Sequence, residues 1–226
     1  SGKSVLDYLL QGKDTILDSH GVFLKKTYRL HPNLNNFITE NFYENRLLIN
    51  EKNINRKIDY KKSSIIQSEG IHTILMKHED RSQTSLEEFE IVKKLMDQLI
   101  GSKFKDFDNS ERKISVNDIL IVSPYNVQVN FLLANLPDGA RIGTVDRFQG
   151  QEAPVTIISM VSSDTDSLPR NKAWFFNRNR LNVALSRSQC SSIILFNPKL
   201  LQTAPSDYEE IKLLNNFHKL LKYNVN

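Results

Sequence analysis

The sequence predicts an α/β fold with a mostly parallel sheet. Short β-branched apolar runs recur along the chain, and several are apolar on both faces, as strands covered by helices on each side must be. Between them lie segments of helical periodicity with recognisable start signals, so strands alternate with helices.

Taken in chain order, VLDYLL at 5–10 reads as a short helix with Ser4 as its candidate N-cap, and GVFL at 21–24 as the first strand. NLNNFITENFY follows Pro32, a favoured first-turn residue. The polar, lysine-rich stretch from Glu51 to Glu69 reads as a surface excursion. IHTILM at 71–76 is the next strand, and TSLEEFEIVKKLMDQLI at 84–100 is a helix opening on a Ser/Thr cap with early glutamates. Residues 101–117 read as a second loop, and the Lys and Arg of both polar stretches as solvated charge, because a binding patch needs clustering on one face. DILIVS at 118–123 is a strand, and NVQVNFLLANL is a helix that follows Pro124 and stops before Pro137. RIGTV at 141–145, VTIISMV at 155–161 and SSIILF at 191–196 complete the strands. NRNRLNVALSR at 177–187 and YEEIKLLNNFHKLLK at 208–222 complete the helices.

The 226 residues suffice for one large domain or a domain with an insert. No apolar run approaches the roughly 20 residues that span a bilayer, so no membrane association is expected. The N-terminus carries no secretory pattern, and the single cysteine, Cys190, makes no disulfide framework or CxxC metal site; an intracellular, cytoplasmic protein is expected. None of the five histidines stands in a metal-ligand spacing. A net charge of +4 permits a nucleic-acid partner without demanding one.

The chain opens on SGKS, which matches the end of a phosphate-binding P-loop. A working loop needs GxxxxGK[ST] between a buried strand and a helix, so that backbone N–H groups wrap the phosphates. Only Ser1 precedes Gly2, so the tripeptide reads as a chance match at the start of a helix.

Four stretches concentrate the chemistry. In KTYRLHP, Arg29 leaves a strand just before a His-Pro turn, at the sheet end where open α/β folds bind ligands; it suits an anion or a structural salt bridge. In IVSPYNVQ, a strand ends at Ser123 and Tyr125 opens a helix; the layout suits phosphate oxygens, and Tyr125 equally suits a packed turn. In GTVDRFQGQE, Thr144, Asp146, Gln149, Gly150 and Glu152 crowd a polar loop between apolar strands, more side-chain hydrogen-bonding capacity than a solvated turn needs. In RLNVALSR, Arg180 and Arg187 are seven apart and share one helix face, able to clamp a polyphosphate or simply to form a basic surface.

Together TYRLHP, SPYNVQ, TVDRFQGQE and RLNVALSR resemble, in order, the C-terminal motor motifs of superfamily 1 helicases. The branch is that of the nonsense-mediated-decay RNA helicase, senataxin and the immunoglobulin mu-binding helicase, whose forms read QYRMHP, TPYxxQ, xVDxFQGxE and RRLNVALTR. Bacterial relatives with an upstream RecB-like nuclease are similar too, down to SVLDYLL. Thr27 stands for the usual Gln, Leu30 for Met, and Ala153-Pro154 for a polar pair.

The resemblance implies a RecA-like (P-loop NTPase-type) three-layer domain, the second motor domain, lacking its own P-loop. Residues 1–26 would be a lead-in helix and first strand from an upstream domain, 27–204 the motor domain and 205–226 a C-terminal helix. It further implies ATP in a cleft shared with an N-terminal RecA-like domain, which would supply the Mg²⁺ ligands. Arg29 and Arg187 would reach the γ-phosphate, with Arg180 in support and Gln149 coupling the sites. Glu152 and Gly150 would meet the nucleotide and Tyr28 would stack on adenine. Ser123, Pro124, Tyr125 and Thr144 would contact single-stranded DNA or RNA. A nucleic-acid-binding module without motor activity is the alternative; intact Arg29, Glu152 and Arg187 speak against it, because a pure binder needs no γ-phosphate clamp.

Overall fold

In the computed structural model, which describes residues 5–10, 12–61, 64, 66–163, 177–202, 204–205 and 207–226, strands and helices alternate. The order is α1 (Val5–Leu10), β1 (Lys26–Thr27), α2 (Pro32–Phe42), β2 (Leu48–Ile49), β3 (Lys57–Asp59), β4 (Gly70–Leu75), α3 (Leu86–Leu99), β5 (Lys103–Lys105), β6 (Glu111–Lys113), β7 (Ile119–Val122), α4 (Asn126–Asn135), β8 (Arg141–Gly143), β9 (Ala153–Ser159), α5 (Arg178–Leu185), β10 (Ser188–Phe196) and α6 (Tyr208–Leu220).

The central sheet has the order β4-β10-β9-β7-β8, and every pairing is parallel. Its register places Ile193 beside both His72 and Ile157, and Ile157 beside Ile121. Alternation along each strand then feeds two cores. Ile121, Ile157, Ile193 and Leu195 pack with α3 and α4 through Phe89, Val92, Val129 and Leu132. Leu120, Ile158, Ile194 and Phe196 pack on the other side with α2, α5 and α6 through Leu34, Leu181, Leu185 and Phe217. Helices thus cover both faces, and the three-layer α/β/α expectation holds. No helix among the described residues is long and apolar enough to cross a membrane.

The helix starts follow local chemistry. Ser85 Oγ accepts the Glu88 N–H at 3.1 Å, Asn177 Oδ1 that of Arg180 at 3.1 Å, and Asp207 Oδ1 that of Glu210 at 2.9 Å. Before α2, His31 Nδ1 takes the cap role, accepting from Asn33 N at 3.2 Å, and Pro32 fills the first turn.

Three expectations need correction or fall outside view. GVFL is not a strand: Val22 and Leu24 are 87% and 82% exposed, so no sheet face buries them, and the first pairing is the two-residue β1 with β2. The two polar stretches are not simple loops, because β3, β5 and β6 pair into an antiparallel sheet. β3 and the central β5 are mostly charged, with one buried side chain apiece, Ile58 and Phe104, anchoring them to the core, while β6 is exposed throughout. SGKS, including the Ser4 cap, lies outside the described residues.

His31 and His72 are buried in this framework. Burial disfavours the imidazolium and pushes both pKa values down to about 4; at His31 the Arg56 charge adds to the effect. The unfolded chain takes up these protons near pH 6.5, so in between it binds more protons than the folded chain, and stability falls as pH falls. Each histidine is expected to cost about 3 kcal/mol between pH 7 and pH 4. His72 Nε2 has no partner among the described residues, so His72→Leu should flatten part of the acid decline in melting temperature without a lost hydrogen bond. An unchanged pH profile in His72→Leu would show that His72 is protonated equally in both states.

Candidate functional site

One short strand exit, one helix end and one loop converge on the site. Arg29 follows β1, and its Nε donates to Glu152 Oε2 at 2.6 Å while Nη1 donates to the Ser186 carbonyl at 3.1 Å. Gln189 Nε2 holds the other Glu152 oxygen at 2.8 Å. Burial alone would raise the Glu152 pKa; the bonds from Arg29 and Gln189 and the charges of Arg29 and Arg56 outweigh it and keep the carboxyl below its ordinary value. Glu152 is therefore an anion at neutral pH.

Arg187 lies on the same wall. Its Nε donates to the Val183 carbonyl at 3.1 Å and its Nη1 to that of Gln151 at 3.3 Å. Its partners are neutral carbonyls, so its charge is oriented without being cancelled. Burial first, and the nearby Arg29 charge second, lower its pKa from the usual arginine value. A guanidinium still remains charged there at neutral pH.

The helix-face expectation for Arg180 and Arg187 is corrected in detail. α5 ends at Leu185 and Ser186 caps it, so Arg187 lies beyond the helix. The two nevertheless line one cleft of about 630 Å³ with Arg29, Asp146, Gln149 and Gly150. Arg180 Nη2 reaches Asp146 Oδ2 at 3.4 Å. Gly150 has φ +80°, a left-handed conformation that a side chain would strain. A second cleft of about 610 Å³ shares Arg29 and Arg187 and adds Tyr28, Lys26 and Glu152. Tyr28 is 67% exposed, with Lys26 Nζ 5.7 Å from its ring centroid. The six expected nucleotide-side residues beyond Tyr28 thus fall on two adjoining clefts.

The four expected strand-side residues sit together at the ends of neighbouring strands. β7 pairs with β8, and Ser123 N donates to the Gly143 carbonyl at 3.1 Å, which places Ser123, Pro124 and Tyr125 beside Thr144. Ser123 is fully buried, and its Oγ has no hydrogen-bond partner among the described residues. Tyr125 is half-buried, with its hydroxyl 2.9 Å from Ser162 Oγ, and burial raises its pKa. The loop from Thr144 to Glu152 joins the two groups, pinned beneath by buried Val145 and Phe148.

Sequence reasoning missed Arg56. It belongs to a stretch read as solvated, yet it is buried; its Nε bonds Asp106 Oδ1 at 2.7 Å and its Nη1 donates to the Arg29 carbonyl. Nothing in INRKID separates this arginine from its exposed neighbours. Among the described residues no group of three or more His, Cys, Asp or Glu side chains could hold a metal ion.

The fold and site define an α/β domain that gathers three arginines, Arg29, Arg180 and Arg187, on one cleft. Residues 2–199 match the family model AAA_12, described as an AAA domain. The chain belongs to that family. It is similar to the putative helicase mov-10-B.1 of Danio rerio, 30% identical over 216 residues, covering 86% of this chain and 21% of the relative. It is also similar to helicase SEN1 of Saccharomyces cerevisiae, 28% identical over 200 residues, covering 79% of this chain and 8% of the relative. A solved PRRSV helicase covers 77% of this chain and 23% of its own at 15% identity and a TM-score of 0.33. The chain therefore spans about a fifth or less of the length of these curated relatives.

Removing Arg56 should loosen the strand exit that presents Arg29. Arg56→Ala removes the guanidinium donor from the Arg29 carbonyl and from Asp106 Oδ1, which keeps only the Phe107 N–H among the described residues, and should cost about 2–3 kcal/mol in urea unfolding. A loss below about 0.5 kcal/mol would mean that solvent replaces the guanidinium freely.

Proposed function

We propose that this chain is the second motor half of an ATP-dependent helicase acting on single-stranded DNA or RNA. The observation that supports this reading is the placement of Arg29 and Arg187 on one cleft wall, with Arg187 bonded, among the described residues, to neutral carbonyls. Phosphoryl transfer needs positive charge aimed where negative charge develops, and little else from the protein. In this reading Arg29 and Arg187 meet the γ-phosphate and Arg180 supports them. Exposed Tyr28 stacks on adenine, Glu152 accepts from the ribose or nearby polar groups, and Gly150 lets the backbone approach. Gln149, on the loop that also carries Thr144 and Glu152, couples the nucleotide to the strand. The Mg²⁺ ligands and the P-loop come from an N-terminal RecA-like domain of the full polypeptide. Ser123, Pro124, Tyr125 and Thr144 form the strand side. A binding module without motor activity would not need three arginines and a low-pKa carboxylate at one cleft.

Arg187→Ala in the full-length enzyme should lower kcat about 10³–10⁵-fold, or about 4–7 kcal/mol in barrier, with melting temperature and strand affinity retained. If kcat stays within about threefold, a barrier change below roughly 0.7 kcal/mol, Arg187 does not act on the transferring phosphoryl group.

Strand binding should be sequence-independent and weaken with salt. Each phosphate contact contributes about −0.7 to the slope of log K against log salt, so the few contacts proposed give a slope of about −1 to −3. Affinity indifferent to salt, or strongly dependent on sequence, would contradict this strand side.

A further inference from the structure

The turn that follows β9 is held by a carboxylate outside the cleft. Glu88, in the first turn of α3, is fully buried. Its Oε2 accepts from Ser159 Oγ at 2.5 Å, and its Oε1 accepts from the backbone N–H of Val161 at 3.0 Å and lies 3.1 Å from His78 Nε2. His78 Nδ1 in turn lies 2.8 Å from Ser163 Oγ. One side chain therefore gathers the end of β9, the turn beyond it and the segment that leaves β4.

The turn has an unusual backbone. Val161 has φ +71°, a left-handed conformation that β-branched residues rarely adopt. Such a residue persists only where its surroundings over-determine it. Here Ser162 N donates to the Met160 carbonyl at 2.8 Å, and Ser163 N to that of Arg81 at 2.8 Å. The Arg81 N–H returns a bond to Ser163 Oγ at 2.9 Å.

These bonds aim Ser162 at Tyr125. Ser162 Oγ donates its one proton to the Ser82 carbonyl at 2.8 Å, so it accepts from the Tyr125 hydroxyl at 2.9 Å. Tyr125 also packs against the core. A ring fixed by its hydroxyl enters a complex without having to be ordered there, which strengthens binding.

We propose that Ser162, carried on the Glu88-anchored turn at Val161, is a positioning residue that pre-orders Tyr125 for contact with a single nucleic-acid strand. This inference rests on the reading of Tyr125 as a strand contact.

The test measures strand-stimulated ATP turnover of the full-length enzyme against the concentration of a fluorescein-free homopolymeric oligonucleotide, with melting temperature as the control for folding. Ser162→Ala should raise the half-saturating strand concentration about three- to tenfold, the range that one hydrogen bond supports, and saturating strand should restore its turnover. Tyr125→Phe should raise it by the same factor, and the double variant by no more than either single change, because both remove one bond. Multiplying effects in the double variant, or wild-type strand dependence in Ser162→Ala while Tyr125→Ala is impaired, would overturn the positioning role alone. Wild-type strand dependence in Tyr125→Ala would overturn the strand-contact reading and the positioning role with it.

Discussion

The cleft depends on keeping two like charges, Arg29 and Arg187, on one wall. Their repulsion favours turning one side chain away into water. The fold opposes this with backbone carbonyls: Ser186 receives Arg29, while Val183 and Gln151 receive Arg187. Glu152 stands beside the pair and binds Arg29 directly. The arrangement leaves Arg187 oriented and only partly compensated, as the proposed γ-phosphate contact requires. α5 matters to the site because it carries the Val183 carbonyl and ends at that of Ser186, and the loop before β9 because it carries that of Gln151.

A single loop then ties the cleft to the strand side. Thr144 begins it at the end of β8 and Glu152 ends it at the start of β9. Buried Val145 and Phe148 hold its first half, and Gly150 supplies the left-handed residue in its second. A shift at either end cannot be absorbed by a floppy connection. This is the physical basis for reading Gln149 as a coupling residue in the proposed motor.

Much of the layered fold was legible because its strands are buried on both faces. VTIISMV and SSIILF can hardly be anything but inner strands, and β9 and β10 fall on them. Ser85 and Pro32 marked helix starts that the structure keeps. The small antiparallel sheet was not legible, because Ile58 and Phe104 are single apolar residues between charges and give no periodicity. GVFL misled for the opposite reason, being apolar without a face to cover it. Composition records a charge but not its burial, so Arg56 passed as solvated and Glu88 as an ordinary first-turn glutamate.

The site residues were readable as a set of motifs, while their surroundings were not. Arg29, Glu152 and Arg187 are far apart in the chain, and the tertiary fold brings them together, with Arg29 bonded to Glu152 and to the Ser186 carbonyl. The sequence places Ser123 at a strand end but does not reveal that its side chain is buried there. The central claim, that this chain holds the arginine half of a shared ATP site, is tested most directly by phosphate release. The 226-residue chain alone should release none above background, with or without single-stranded nucleic acid, while the full-length polypeptide turns over and is stimulated by the strand. Turnover that tracks with the purified chain alone would contradict the account.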